Sequence, residues 1–231
     1  MYTDPSIDSI KEMITQGNEL LKNKQYEKSI LIFKDIIKLK PNYANAYNCL
    51  GTAYMQINNI DSAIDSYKAA CRIKPDFAEA HNNIGIAYEM RGKLDLAIEE
   101  YKSAIRFKED FSDAYYNLGI VYYMQEKWQE AINNWKKVVE LSPKHYQAHN
   151  NIAGAYIKLN QNSNAIIQWE ILLSLNPEHP NAYYSLGYLY EEKKDKKNAI
   201  KNFETFLEKA KDKSFKELRK IAKEKLKELN T

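Results

Sequence analysis

Three asparagines recur at an interval of thirty-four residues, at Asn83, Asn117 and Asn151. A carboxamide carries both N–H donors and a C=O acceptor, so it can hydrogen bond to the backbone of an extended peptide without contacting that peptide's side chains. A stacked column of carboxamides therefore predicts a ladder that holds peptide backbone. The alternative is that asparagine only fills an exposed helical column in an asparagine-rich chain.

Two histidines and two cysteines are the other candidates for chemistry. His145 and His149 are four residues apart, which would suit zinc on one helical face, but both stand in columns otherwise held by aromatic residues. That placement indicates packing. Cys49 and Cys71 fall in different columns of one repeat and indicate core residues rather than a disulfide framework.

Sequence motifs for catalysis are missing from the chain. It contains no GxxxxGK[ST] phosphate loop, no HExxH zinc motif and no GxSxG nucleophile motif. We therefore expect no catalytic residues, no metal and no cofactor, and a protein that is not an enzyme.

The elements that must position the asparagines repeat with the same period. One column holds glycine, with alanine in the fifth unit: Gly17, Gly51, Gly85, Gly119, Ala153 and Gly187. From the second unit onward, tyrosine follows three residues later: Tyr54, Tyr88, Tyr122, Tyr156 and Tyr190. A second block begins with an Ala-Ile pair and reaches an aromatic residue four positions after the alanine: Tyr67, Tyr101, Trp135, Trp169 and Phe203. A period of this length is typical of stacked helical repeats.

These columns resemble the tetratricopeptide repeat family, whose W-x2-L-G-x2-Y, A-x3-F and P landmarks fall in register over residues 10–213. The tryptophan position departs from the family and holds Met13, Tyr47, His81, Tyr115, His149 and Tyr183. The resemblance implies an all-α fold, a right-handed α-solenoid of stacked helix-turn-helix units. The predicted repeats are 10–43, 44–77, 78–111, 112–145, 146–179 and 180–213, between an N-terminal segment, 1–9, and a C-terminal capping helix, 214–231.

Local signals place the ends of the helices inside each unit. The pair Asn58 and Asn59 predicts the break between the two helices of the second repeat. Asn42 and Asp76 are suited to cap the helices that follow them. A glycine such as Gly51 lowers helix propensity by about 1 kcal/mol, so we expect a close approach between the two helices at that position.

Composition fits such an array. Hydrophobic residues make up 44% of the chain and charged residues 28%, with a net charge of only +3. The first ten residues have no basic and apolar signal pattern, and no stretch approaches the roughly 20 apolar residues of a membrane helix. We expect a cytoplasmic protein without a membrane span and without a nucleic-acid partner.

The C-terminal end carries an excess of positive charge. Residues 193–231 contain fourteen Lys and Arg against seven Asp and Glu. Within this region an apolar stripe runs through Phe215, Leu218, Ala222, Leu226 and Leu229. Two interpretations stay open: a helix that caps the last repeat, or a basic patch for an acidic partner, a membrane surface or a nucleic acid.

The resemblance also implies where a ligand would bind, because in the family the first helix of each unit faces the concave side. The candidate peptide-binding positions are Asn48, Asn82, Asn83, Asn117, Asn150, Asn151, Tyr116, Tyr123, Tyr184, Tyr188, Ile86, Ile120 and Met55. The asparagine column is similar to that in the repeat domain of O-linked N-acetylglucosamine transferases. Chaperone-binding members hold a C-terminal carboxylate with a basic clamp, but the equivalent positions here are Asn45, Glu79, Asp113, Cys49, Asn83 and Asn117. Binding to Hsp70 or Hsp90 is therefore not expected.

These features predict a non-enzymatic scaffold that binds an extended or helical segment of another protein in its concave groove. Two alternatives remain. The chain could assemble with copies of itself, or it could be a regulatory subunit or repeat region of an enzyme complex such as a glycosyltransferase.

Overall fold

The computed structural model describes residues 7–231, which form helices and no β-strand. The helices are α1 (Ile7–Lys22), α2 (Tyr26–Leu39), α3 (Ala44–Gln56), α4 (Ile60–Ile73), α5 (Ala78–Met90), α6 (Leu94–Phe107), α7 (Ser112–Met124), α8 (Trp128–Leu141), α9 (Tyr146–Lys158), α10 (Asn162–Leu175), α11 (Pro180–Glu192), α12 (Lys196–Lys209) and α13 (Lys216–Asn230), with a 3-10 turn at Lys213–Phe215. None of them is long and apolar enough to cross a membrane. Most of the predicted N-terminal segment, residues 1–6, lies outside the described residues.

The chain divides into two compact units, residues 1–121 and 122–231. In the first unit each helix from α1 to α6 packs against its sequence neighbours, and the first helices α1, α3 and α5 also contact one another in turn. In the second unit α8 to α13 likewise pack in chain order. The predicted all-α fold of stacked helix-turn-helix units is confirmed.

The repeated glycines lie against the repeated aromatic rings. A Cβ atom on Gly51 would be 2.6 Å from Cε1 of Tyr67, and one on Gly85 would be 2.6 Å from Cε1 of Tyr101. Both rings are almost fully buried. The close approach predicted at this column is therefore made by an aromatic ring of the second helix, which lies where a side chain of the first helix would otherwise stand.

The turn between the two helices of each repeat contains one residue in the left-handed region. Its φ lies between 55° and 68°, and these residues are thirty-four positions apart: Lys24, Asn58, Gly92, Glu126, Asn160 and Lys194. Only Gly92 and the two asparagines belong to residue types that adopt this conformation readily. At the other three, the backbone N–H of the next residue donates to the carbonyl oxygen five positions earlier and so closes the preceding helix.

The turns before α3 and α5 end with an aromatic residue, and the prediction of Asn42 and Asp76 as N-caps is wrong. The N-cap residues of α3 and α5 are Tyr43 and Phe77, one position later. The ammonium groups of Lys40 and Lys74 lie 5.1 Å and 5.0 Å from the centroids of these two rings. Neither Tyr43 nor Phe77 makes a side-chain capping hydrogen bond. Each ring instead packs at the junction of two repeats, with a lysine ammonium group near its face.

The last helix, α13, packs on α12 and covers an aromatic cluster. The core of this cluster consists of Phe203, Phe206, Ala210 and Ala222, all fully buried. The apolar stripe predicted for the C-terminal segment, with Phe215, Leu218, Leu226 and Leu229, packs against it. The stripe therefore has a structural partner inside the second unit.

Candidate peptide-binding surface

In the first unit, asparagines of neighbouring repeats pair with one another. Asn83 of α5 donates an N–H to Oδ1 of Asn48 in α3 at 3.0 Å, and Asn117 of α7 donates to Oδ1 of Asn82 in α5 at 3.1 Å. The two pairs are equivalent, since both join residues thirty-five positions apart. Predicted site residues of adjacent repeats are thus brought together in register.

One of the four asparagines in these pairs is buried, and the other three are half-buried. Asn82 is only 6% exposed, so its carboxamide serves the neighbouring asparagine rather than a ligand. Asn83 and Asn117 are half-buried, and among the described residues each makes no other side-chain hydrogen bond. Each therefore keeps one N–H and its Oδ1 for a ligand, while the internal hydrogen bond fixes the orientation of the carboxamide.

The predicted apolar positions of the first unit lie on the same helices as these asparagines. Met55 is on α3, Ile86 is on α5, and Tyr116 and Ile120 are on α7. All four are half-buried. Each keeps apolar surface that a ligand can cover.

In the second unit the structure contains an apolar recess of about 210 Å³. It is lined by Ile157, Trp169, Tyr184, Ser185, Tyr188 and Leu189. The hydroxyl of Tyr184 donates to that of Tyr188 at 3.3 Å, and their rings meet edge to face with centroids 5.1 Å apart. Burial raises the pKa of the Tyr184 hydroxyl, which therefore stays neutral. The recess has the size and character to hold one apolar side chain.

Four of the residues that line this recess are not among the candidate peptide-binding positions given above: Ile157, Trp169, Ser185 and Leu189. Trp169 stands in the aromatic column that packs against the glycine column in other repeats. Here its Nε1 donates to Oδ1 of Asn150 on α9 at 3.1 Å. Because Trp135 stands in the same column, the residue type of Trp169 was not by itself a signal for this contact.

The other predicted positions of the second unit are also partly covered. The ring of Tyr123 lies 4.6 Å from that of Trp128 and 5.8 Å from that of Trp135, measured between centroids. Asn151 is half-buried on α9. Tyr123 therefore contributes first to aromatic packing.

His81, Cys71 and Glu100 bring together the residue types of a nucleophilic triad. Nδ1 of His81 lies 2.7 Å from Oε2 of Glu100, and Nε2 lies 3.0 Å from the carbonyl oxygen of Pro75. Because both neighbours are acceptors, both ring nitrogens carry protons. Hydrogen bonds to the Cys71 side chain and to Glu100 raise the pKa of His81 to about 10, against the lowering effect of burial. His81 and Glu100 therefore form an ion pair that joins α5 to α6.

We expect His81 to remain an imidazolium at pH 8. Its folded pKa is raised above the ordinary 6.5, so the stability it contributes is fully present below pH 6.5 and is lost as the pH rises through about 10. His81→Phe keeps a ring but removes both N–H groups, and should lower the free energy of unfolding by about 1.5–3 kcal/mol at pH 6 and by less at pH 10.5. Ring ¹⁵N chemical shifts across a pH titration measure the charge directly. Glu100→Gln is the matched variant and should lower the pKa; an unchanged titration there would show that Glu100 does not hold the proton.

The histidines considered for zinc have other contacts. Nδ1 of His145 accepts from the backbone N–H of Ala148 at 3.2 Å and caps α9. Nδ1 of His149 lies 2.8 Å from Oε1 of Gln168, and its side chain is buried. Over residues 7–231, no three His, Cys, Asp or Glu side chains are grouped as metal ligands. Burial also raises the pKa of the Cys49 thiol, which opposes the thiolate form that reactive cysteines need.

Comparison with known families identifies the type of repeat. Models described as TPR repeat and tetratricopeptide repeat match residues 51–92, 90–126, 112–145 and 180–212. The chain belongs to the tetratricopeptide repeat family. Among curated proteins, no sequence matches it.

Several solved structures share the fold. A structure of MamA has 27% identity and a TM-score of 0.65, covering 70% of this chain and 94% of that one. PilF from Pseudomonas aeruginosa has a TM-score of 0.77 at 15% identity, covering 92% and 97%. YrrB, described as a TPR protein with an unusual peptide-binding site, has a TM-score of 0.70 at 20% identity, covering 81% and 97%.

Proposed function

We propose that this tetratricopeptide repeat protein is a non-enzymatic interaction scaffold that binds an extended segment of another protein. The observation that carries the proposal is the pair of equivalent asparagine contacts, Asn48 with Asn83 and Asn82 with Asn117. In each pair the asparagine of the earlier repeat accepts one N–H. The asparagine of the later repeat keeps its other N–H and its Oδ1 for a ligand. A ligand that meets oriented carboxamides does not have to order them, which lowers the cost of binding.

Whether the ligand is extended or helical depends on which of its backbone N–H and C=O groups are free to bind the asparagines. In a helix, the backbone N–H and C=O groups are bonded to each other, except at the ends. In an extended segment these groups are free to pair with carboxamides. The asparagines therefore favour an extended ligand over a helical one.

Side-chain selectivity would come from apolar positions. In the second unit the recess lined by Trp169, Tyr184 and Tyr188 offers a site for an apolar or aromatic side chain. Rigid aromatic residues are common where a few side chains supply most of the binding energy. We infer that a partner segment carries one such anchor residue.

The test uses a peptide selected on the wild-type protein from a displayed random library. Asn83→Ala with Asn117→Ala removes two hydrogen bonds to a neutral ligand, each worth about 0.5–1.5 kcal/mol, so affinity should fall about 5- to 150-fold. Isothermal titration measures the loss, and circular dichroism checks that helical content is kept. Because the contacts are uncharged, the affinity of the wild type should change little with salt.

Matched controls separate a ladder from a general loss of asparagine. Asn133→Ala with Asn164→Ala changes two exposed asparagines on second helices and should leave the affinity unchanged. Asn48→Ala removes only the acceptor that orients Asn83, so we expect an intermediate loss of peptide affinity. Equal affinity for the wild type and the Asn83 and Asn117 variant would refute the ladder.

The same preparations address the two alternatives for function. A molar mass that rises with protein concentration, and that falls when the selected peptide is added, would favour assembly of copies through this surface. A catalytic chain that co-purifies with the protein would favour a subunit of an enzyme complex. The peptide scaffold is favoured by a constant monomer mass together with peptide binding.

A further inference from the structure

The turn between α12 and α13 contains a second concave surface, separate from the asparagine pairs and from the apolar recess. It is a recess of about 600 Å³, and we call it the basic recess. It is lined by Lys211, Asp212, Lys213, Lys216, Arg219, Lys220 and Lys223. Six of these seven residues are basic.

Helical geometry separates the charges of α13 by sign. Lys216, Lys220 and Lys223 follow one another at intervals of four and three residues, so they lie on one edge of the helix. Glu217 and Glu224 are each one position later, about 100° around the helix axis. The mixture of Lys and Glu in the sequence therefore becomes one basic edge and one acidic edge.

The positive charge of the basic recess is not neutralised by the protein. Among the described residues, no acidic side chain forms an ion pair with any of the five lysines that line it. Two lysines outside the recess contrast with this, since Lys209 pairs with Glu178 and Lys225 pairs with Glu191. Unpaired like charges around one concavity repel one another, and an anionic partner would relieve that repulsion.

Arg219 and Asp212 have internal roles that define what the recess can offer. The guanidinium of Arg219 donates to the carbonyl oxygens of Leu207 and Ala210, at the C-terminal end of α12. Asp212 accepts from the backbone N–H of Ser214 at 2.8 Å. Both bonds come from Nη1, so Nε and Nη2 lie beside the five lysine ammonium groups, which supply most of the positive charge that a ligand meets.

We propose that the basic recess binds an acidic segment of a partner protein, rich in Asp and Glu. Lys216 and Lys223 are separated by about 10 Å along the helix, the length of about three residues of extended chain. Flexible ammonium groups accept carboxylates from many directions, whereas recognition of phosphate most often uses a bidentate arginine.

Other anionic partners fit the recess less well. Single-stranded nucleic acids bind by stacking bases on aromatic side chains, and no aromatic residue is among those that line it. A flat bilayer surface cannot enter a concavity. This surface is distinct from the proposed peptide ladder, so either proposal can fail without the other.

The experiment measures binding of a fluorescein-labelled peptide of alternating Glu and Ser to the full chain by anisotropy. Lys216→Glu with Lys220→Glu and Lys223→Glu should weaken binding by at least about tenfold at low salt, since three attractions become repulsions. The affinity of the wild type should fall steeply as salt is raised. The same peptide with Gln in place of Glu should not bind.

A matched variant carries the same change in charge elsewhere at the basic end. Lys193→Glu with Lys196→Glu and Lys197→Glu alters three exposed lysines outside the recess, and should change the affinity by less than about threefold. If the glutamate variant of the recess does not fold, the corresponding glutamine variant replaces it, with a smaller expected loss in the same direction. An equal loss in the two glutamate variants would overturn the proposal, as would an absence of peptide binding. So would tighter binding to oligothymidylate or to phosphatidylserine vesicles than to the peptide.

Discussion

Removal of residues 214–231 should lower the melting temperature of the second unit by 10 °C or more and promote aggregation. The deletion uncovers the cluster of Phe203, Phe206 and Ala210 on α12, which α13 covers in the intact chain. Exposure of two such large apolar side chains costs about 1.5–3 kcal/mol each, and for a unit of this size each kcal/mol corresponds to at least about 4 °C. Exposed apolar surface also drives association. Thermal unfolding followed by circular dichroism, together with light scattering, measures both effects.

Point variants separate packing from the loss of positive charge that accompanies the deletion. Ala222 is fully buried against α12, so Ala222→Asp places a carboxylate in the cluster and should destabilise the unit by at least about 2 kcal/mol. Ile221 is 37% exposed on the same helix, so Ile221→Asp adds the same charge with an expected change of about 0.5 kcal/mol. Unchanged melting of the truncated chain, or equal effects of the two aspartates, would contradict a capping role for α13.

Gly85→Leu should destabilise the first unit by about 3 kcal/mol or more. Its Cβ would lie 2.6 Å from Cε1 and 2.7 Å from Cδ1 of Tyr101, whose ring is fully buried. The ring cannot move aside without losing its packing and the hydrogen bond from its hydroxyl to Glu89. Overpacking of a well-packed core costs about 1–3 kcal/mol, and the rest of the leucine side chain adds to the clash made by Cβ. Chemical denaturation measures the loss.

Gly154 offers the control, because it is also a helical glycine. A Cβ atom there would meet no other atom within 4 Å. Gly154→Ala should therefore stabilise the chain, by up to about 1 kcal/mol from helix propensity alone. If Gly85→Leu left the unfolding midpoint unchanged, the close contact with Tyr101 would not exist in solution.

Much of the fold could be predicted because the sequence repeats the same pattern of residue types every thirty-four positions. Residues that share a column meet the same environment in every repeat, so six copies of one pattern indicate the helix pair and its buried face. Gly51 contacts Tyr67 in the same way as Gly85 contacts Tyr101. The glycine column and the aromatic column of the sequence therefore form one contact that recurs in successive repeats.

Contacts between repeats were harder to predict. Asn83 and Asn117 were identified, but their partners lie thirty-five residues earlier, in a different column. A comparison at the period of thirty-four aligns Asn83 with Cys49, and so does not pair Asn83 with Asn48. The pairing depends on the rotation of one helix against the next.

The N-caps and the turns show the same limit at the local scale. A carboxylate such as Asp76 is a good cap by propensity, but the ring of Phe77 occupies the N-cap position because it packs at the junction of two repeats. Lys24, Glu126 and Lys194 adopt positive φ although their residue types do not favour it. Packing at the N-caps, and backbone hydrogen bonds that close the preceding helix at the turns, outweigh a local preference worth about 1 kcal/mol.

The sequence by itself determined the repeat, the helices and the buried columns, because these follow from spacings of three to four residues within a helix and of thirty-four between units. Only the tertiary structure decided which side chains meet across helices. It placed two acceptors around His81, so that the ring carries a charge, and it joined Trp169 to Tyr184 and Tyr188 in one recess. Such contacts depend on the positions and angles of packed helices, which result from the fit of many side chains at once and not from the identity of any one residue.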